Sequence, residues 1–216
     1  MLLCMDQGAR ARRVITRSPT RTVGRFPSLK ASRTIHWESQ LERDFVYLLE
    51  FDPVVLTYRE QPETIHLQVG GVMRRYTPDF LVRTEAAMVV YEVKPADKAV
   101  APEVAELMAR AADHYAGRGM RHRVVTEAEI RVQPYLDNVM LLLRYQRHPV
   151  APNIAVMARV LLGNGALLVG VLADCLGEAG AGTAEVLALL ATHQLKADLA
   201  TRPLSRDTLI QLPGGR

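Results

Sequence analysis

The stretch RRYTPDFLVRTEAAMVVYEVKP, residues 74 to 95, most constrains what this chain can fold into. Two apolar, β-branched runs stand either side of a turn signal at Thr84-Glu85, which reads as a pair of adjacent strands. Their ends carry Asp79, Glu92 and Lys94. Charged side chains inside a sheet cost free energy unless something pairs with them. Residues two apart on a strand share a face, so Glu92 and Lys94 reach one site while Val93 faces the core. A hairpin brings Asp79 and Glu92 onto neighbouring strands. Two carboxylates held side by side repel unless a cation lies between them. An all-oxygen donor set without Cys or His favours a hard ion, Mg²⁺ or Mn²⁺. A lysine beside such an ion positions water or stabilises charge on a phosphate. The plainer readings are a turn aspartate after Pro78 and a surface Glu92–Lys94 ion pair. The apolar AAMVV run before Glu92 argues instead for a buried strand.

Around this segment the periodicity alternates between helix and strand. HWESQLERDFVYLLEFDP, 36 to 53, repeats apolar residues at helical spacing and stops at Pro53, with Trp37 as a core anchor. VVLTYREQP and ETIHLQVGG read as strands, with a hairpin turn at Gly70-Gly71. Residues 101 to 119 form a helix opened by Pro102 and closed near Gly117. A strand over 121 to 127 and a helix over 134 to 148 follow. The expected fold class is α/β, a mixed sheet flanked by helices. Pro149, Pro152 and Asn153 mark a boundary. Beyond it the chain is rich in Leu, Ala and Gly, with helices expected near 154–162, 166–176 and 183–192 and a terminal hairpin in LKADLATRPLSRDTLIQLP. That pattern reads as a small, mainly α, winged-helix-like domain. The expected organisation is a basic arm over 1–34, an α/β domain over 35–149 and the small domain over 150–216.

Charge is unevenly spread. The net charge of +4 is modest, but Arg10, Arg12, Arg13, Arg17, Arg21 and Arg25, with Lys30 and Arg33, precede residue 35 against the single acid Asp6. Such a segment reads as a flexible arm that touches phosphates or an acidic partner. Cys4 and Cys175 provide no disulfide framework, which fits a reducing cytoplasm. The opening MLLCMD is too short an apolar run for a signal peptide. The apolar run from 154 to 176 contains Arg159, Asn164 and Asp174, so it reads as two elements joined at GNG rather than as a membrane span.

Asp79 in PDF and Glu92 and Lys94 in EVK resemble the active-site signature of PD-(D/E)XK nucleases. SQLERDFVYLLEFDPVVLTYREQP, then YTPDFLV and YEVKP, resembles the endonuclease subunit TnsA of heteromeric cut-and-paste transposases, and the ending LKADLATRPLSRDTLIQL resembles that family's C-terminal domain. The resemblance implies a restriction-endonuclease-like fold with a helix-borne glutamate before the sheet. Glu42 is the best match and Glu38, one turn earlier, the alternative. It implies Asp79, Glu92 and the Val93 backbone carbonyl as metal ligands, with Glu42 helping, Lys94 as the catalytic lysine and Gln61 in REQP in support. Some relatives carry Gln where this chain has Glu92. The implied activity is Mg²⁺-dependent hydrolysis at the 5′ ends of a transposon. The implied partners are transposon-end DNA, a DDE-type transposase subunit and an AAA+ ATPase regulator, in a cytoplasmic, nucleoid-associated setting and away from membranes. The alternatives are a stand-alone restriction-like or junction-resolving nuclease, and a non-catalytic DNA-binding assembly subunit.

Overall fold

The computed structural model describes residues 22–214, which fall into two compact units divided after Ile130. In the first, strands β1 (Gly24–Ser28) and β2 (Arg33–Trp37) form an antiparallel hairpin and lead into helix α1 (Gln40–Phe51). Strands β3 (Val55–Glu60), β4 (Ile65–Val69), β5 (Val72–Tyr76), β6 (Phe80–Thr84) and β7 (Met88–Val93) follow. The short helix α2 (Ala96–Ala99), helix α3 (Pro102–Ala116), strand β8 (Arg121–Val125) and the short helix α4 (Glu127–Ile130) complete the unit.

The central sheet has the order β3-β6-β7-β8, antiparallel except for the parallel β7–β8 pair. A parallel pair needs a crossover, and α3 supplies it. Side chains alternate across the sheet. Phe80, Val82 and Val93 pack with Phe45, Val46 and Leu49 of α1. Leu81 and Val90 pack with Met108, Ala111 and Tyr115 of α3 and with Ile65, Leu67 and Tyr76 of the β4–β5 ribbon. That ribbon is a separate two-stranded sheet, because the TPD sequence after Tyr76 interrupts pairing before β6 begins.

The α/β class with a mixed, helix-flanked sheet agrees with expectation, but three details differ. First, the expected arm does not extend to residue 34. Phe26 packs against the α1-side core and Ile35 is fully buried within it. Arg33 pairs with buried Glu60, its Nη1 donating to Oε1 at 3.0 Å and its Nη2 to Oε2 at 2.5 Å. Buried Glu50 accepts from Ser28 Oγ at 2.6 Å, Leu29 N at 2.8 Å and Tyr58 OH at 2.8 Å. Lys30 Nζ caps the end of α1 by donating to the Leu49 and Asp52 carbonyls. Two buried carboxylates thus fasten the hairpin to the sheet and helix. Second, Trp37 ends β2 rather than anchoring α1; its ring lies over Gly24, where a Cβ would fall 2.0 Å from the indole. Third, the unit boundary falls after Ile130 rather than near 149.

The second unit comprises helices α5 (Tyr135–Leu143) and α6 (Pro152–Leu162), strand β9 (Leu167–Leu168), helices α7 (Val169–Gly177) and α8 (Thr183–Ala191), and strands β10 (Lys196–Ala197) and β11 (Leu209–Gln211). The strands form one sheet, ordered β10-β11-β9, so the expected terminal hairpin is present. Helix α5 belongs here because its Asn138, buried, pins the loop between β10 and β11. Nδ2 donates to the Leu199 and Arg202 carbonyls at 2.9 Å each, and Oδ1 accepts from Leu204 N at 2.7 Å. Every residue of α8 from Val186 to Ala191 is buried, as expected of a helix that is apolar all round. Among the described residues no helix is long and apolar enough to cross a membrane; the apolar run at 154–176 is divided between α6, β9 and α7.

Candidate active site

One end of the central sheet opens into a cleft of about 550 Å³. Its lining includes Glu42, Gln61, Asp79, Glu92, Val93 and Lys94, every residue proposed for the catalytic centre from the sequence, together with Glu38. Strand pairing assembles them. Phe80 faces Tyr91, and Asp79 N donates to the Tyr91 carbonyl at 3.1 Å. Asp79 therefore follows β6 outward to lie beside Glu92, and its Oδ2 accepts from Val93 N at 2.7 Å. On the other side the Asp79 carbonyl accepts from Gln61 N at 2.8 Å, which ties the end of β3 to the same place.

The glutamates arrive from α1. Ser39 is the N-cap of α1, and Glu42 three residues on reaches back to the backbone of Glu38, one residue before the position a capping box uses. Ser39 Oγ accepts from Glu42 N at 3.1 Å, and Glu42 Oε2 accepts from Glu38 N at 2.8 Å. The cap that starts the helix thus also turns the Glu42 carboxylate into the cleft. Glu38 has a different contact: its Oε1 accepts from Gln61 Nε2 at 3.0 Å. Both glutamates weighed from the sequence therefore line the site.

The electrostatics are dominated by crowded acids. Burial pushes the Asp79 carboxyl well above the usual carboxylate range, and the charges of Glu92 and Glu42 push it further, against the pull of the Val93 N–H and Lys94. Burial likewise raises Glu42, with Glu38 and Glu92 adding to it while the Glu38 and Ser39 hydrogen bonds oppose it. Lys94 Nζ sits 2.6 Å from Glu92 Oε1. Gln61 adds two unusual features. Its backbone is left-handed, at φ 42°, a conformation that costs a non-glycine residue free energy. Its Oε1 is buried with no hydrogen-bond partner among the described residues. Because Nε2 must face the acceptor Glu38, the unpartnered atom is an acceptor in a cleft already rich in acceptors.

Among the described residues no group of three or more His, Cys, Asp or Glu side chains forms a ready metal cage. The residues nonetheless suit a hard cation. The donors are carboxylate and carbonyl oxygens, the acids repel one another, and the buried Gln61 Oε1 has no hydrogen-bond donor among the described residues. Mg²⁺ is commonly held by one or two carboxylates plus substrate phosphate rather than by an all-protein cage.

Of the arginines expected to touch nucleic acid, Arg10, Arg12, Arg13, Arg17 and Arg21 lie outside the described residues. Arg25 is exposed on β1 opposite His36 and does not line the cleft. Sequence reading missed Lys98 and Thr22, both in the cleft wall, and the support behind Glu92. Tyr76 OH bonds to Glu92 Oε2 at 2.9 Å and to His122 Nε2 at 2.9 Å. Nothing in the local pattern marks His122, which lies on β8 and meets Tyr76 only through the parallel crossover.

A mixed sheet flanked by α1 and α3, with acids and a lysine gathered at one end, fits a restriction-endonuclease-like α/β fold. Residues 52–127, from the end of α1 through β8, match the family model described as TnsA-like endonuclease N terminal. Over those residues, about a third of the chain, the sequence is similar to the TnsA-like endonuclease N-terminal domain. A comparison with curated proteins gives no match.

Proposed function

We propose that this protein is the metal-dependent DNA endonuclease subunit of a heteromeric cut-and-paste transposase and hydrolyses phosphodiester bonds at the transposon 5′ ends. The observation that carries this reading is the meeting of Asp79, Glu92 and Lys94 with Glu42 and Gln61 in one cleft of a TnsA-like domain. The arrangement is that of a PD-(D/E)XK site. Asp79, Glu92 and the Val93 carbonyl hold the ion, Mg²⁺ or Mn²⁺, with Glu42 beside them. The ion, when bound, supplies Lewis-acid stabilisation of charge on the scissile phosphate. Lys94 orients the attacking water and keeps the Glu92 carboxylate turned to the cleft. Gln61 Oε1 accepts a hydrogen bond from water on the Glu38 side.

The partners follow from the same reading: transposon-end DNA, a DDE-type transposase that cuts the other strand, and an AAA+ regulator. The α-β-α-α-β-β order of α6 to β11 supports a winged-helix assignment for the second unit. In such a module α8 occupies the place of a groove-reading helix, yet it is buried from Val186 to Ala191. This makes α8 part of the unit's core rather than a contact surface, so the second unit would meet its partner through other faces.

The test is strand-specific cleavage of a labelled duplex carrying the cognate transposon end, in Mg²⁺, with and without the cognate transposase, using wild type and Asp79→Ala. A 5′-strand cut that requires both the transposase and Asp79 is expected. Cutting without the transposase identifies a stand-alone nuclease. No 5′ cut beside an active transposase identifies a non-catalytic subunit.

A further inference from the structure

Glu92 is 6% exposed, and both of its oxygens have partners. Oε1 meets Lys94 Nζ on the cleft side. Oε2 meets the hydroxyl of Tyr76, which reaches it from the separate β4–β5 ribbon. The roles in this contact are fixed by elimination. An ionised carboxylate only accepts, so Tyr76 donates to Glu92 and its oxygen accepts from His122 Nε2–H. Burial lowers the His122 pKa, and in the neutral ring the bond to Tyr76 selects the tautomer with its proton on Nε2. The His122 ring lies parallel to Tyr115, 3° between planes at 5.9 Å, and Tyr115 is fully buried. The Tyr115 ring therefore holds the imidazole, the imidazole aims the phenol, and the phenol occupies one oxygen of Glu92.

An oxygen held this way is not free to join its twin on a cation. Ca²⁺ takes six to eight oxygens and readily accepts both from one carboxylate, whereas Mg²⁺ demands near-octahedral geometry with single oxygens and retained waters. We propose that Tyr76, held by His122, is a positioning and specificity-determining residue that confines Glu92 to ligation through Oε1 and so favours Mg²⁺ or Mn²⁺ over Ca²⁺. The proposal rests on the reading of Glu92 as a metal ligand. It adds a residue from a strand outside the central sheet and a histidine from β8.

Direct ion binding tests it without any cleavage readout. Mn²⁺ binding is followed by the paramagnetic resonance signal of the free ion, and Ca²⁺ binding by titration calorimetry, on the full chain as wild type, Tyr76→Phe and Glu92→Gln. Tyr76→Phe is expected to weaken Mn²⁺ binding about tenfold, the lower range for loss of a group that orients a ligand, and to weaken Ca²⁺ binding much less. An unchanged Mn²⁺ to Ca²⁺ preference overturns the proposal while leaving Glu92 as a ligand. A wild type that binds neither ion, or a Glu92→Gln variant that binds Mn²⁺ like wild type, refutes the ligand reading itself and the proposal with it. A second pair guards against misfolding of Tyr76→Phe. His122→Gln still offers an N–H to the phenol and retains the preference, whereas His122→Phe retains an aromatic ring against Tyr115, offers no donor, and shifts the preference toward Ca²⁺. Equal preferences in this pair also overturn it.

Discussion

Replacing Glu50 with alanine tests whether buried carboxylates hold the N-terminal hairpin in place. Glu50 is 1% exposed and accepts short hydrogen bonds from Ser28 Oγ, Leu29 N and Tyr58 OH, with a longer one from Lys30 N at 3.4 Å. Hydrogen bonds to a charged group contribute about 1.5–3 kcal/mol each, so the three short ones total at least roughly 4.5 kcal/mol. Removing the carboxylate also removes the cost of burying its charge, which offsets part of that sum. The net loss expected for Glu50→Ala is about 2–4 kcal/mol. Tyr58→Phe removes a single donor to the carboxylate and is expected to cost about 1.5–3 kcal/mol. In the Glu50→Ala background the same change costs nothing, because the hydroxyl has already lost its acceptor. Urea unfolding followed by the fluorescence of Trp37 reports on this unit, since Trp37 is the only tryptophan and ends the hairpin. Hydrogen exchange at Phe26 and Ile35 gives the local readout. A Glu50→Ala protein within 0.5 kcal/mol (roughly the scatter of additive mutants) of wild type, with hairpin amides still protected, refutes the reasoning.

Two further predictions concern the cleft and the second unit. An acid whose carboxyl is raised in the fold binds its proton more tightly there than in the unfolded chain, so ionising it costs stability. For Asp79, raised by burial and by Glu92 and Glu42, metal-free stability therefore falls as pH climbs from about 4 to the raised value and is level above it. Asp79→Asn retains an oxygen for Val93 N, so thermal melting at pH 7 without divalent ions is expected to show a higher Tm than wild type, by about 2–4 °C per kcal/mol relieved, and a flatter pH profile. A lower Tm with an unchanged profile counts against the crowded-acid account. Asn138→Ala removes three hydrogen bonds from the 199–204 loop and is expected to cost about 2–3 kcal/mol, with faster proteolysis of that loop. Unchanged cleavage there dissociates the loop from Asn138.

How far the sequence foretold this structure depended on how local each interaction is. Asp79, Glu92 and Lys94 were legible because strand alternation and a hairpin turn are short-range rules, and the pairing of Phe80 with Tyr91 obeys them. Glu42 was legible as a helix residue, although the Ser39 cap that turns it into the cleft was not foreseen. The β1–β2 hairpin was hidden. Its strands carry Arg25, Pro27 and Arg33, which read as a solvated basic segment, and the acids that neutralise or cap it, Glu50 and Glu60, lie in other elements. Trp37 matched the helical spacing of Leu41 and Phe45, yet the Ser39 cap starts the helix after it. The unit boundary was misplaced because nothing within α5 reveals that Asn138 is committed to carbonyls more than sixty residues away.

The burial of α8 also limits what this chain can become. A helix that displays side chains to solvent can change its binding preference one substitution at a time, at little cost to folding. From Val186 to Ala191 there is no such display, and each polar replacement there strands a group in an apolar interior at about 1–3 kcal/mol. Variation in this stretch is restricted to apolar exchanges, and its defective alleles should appear as loss of protein rather than loss of recognition. New specificity in the second unit has to be acquired on other surfaces, such as the exposed Arg202 and Arg206 of the β10–β11 loop, while α8 persists as an inherited core.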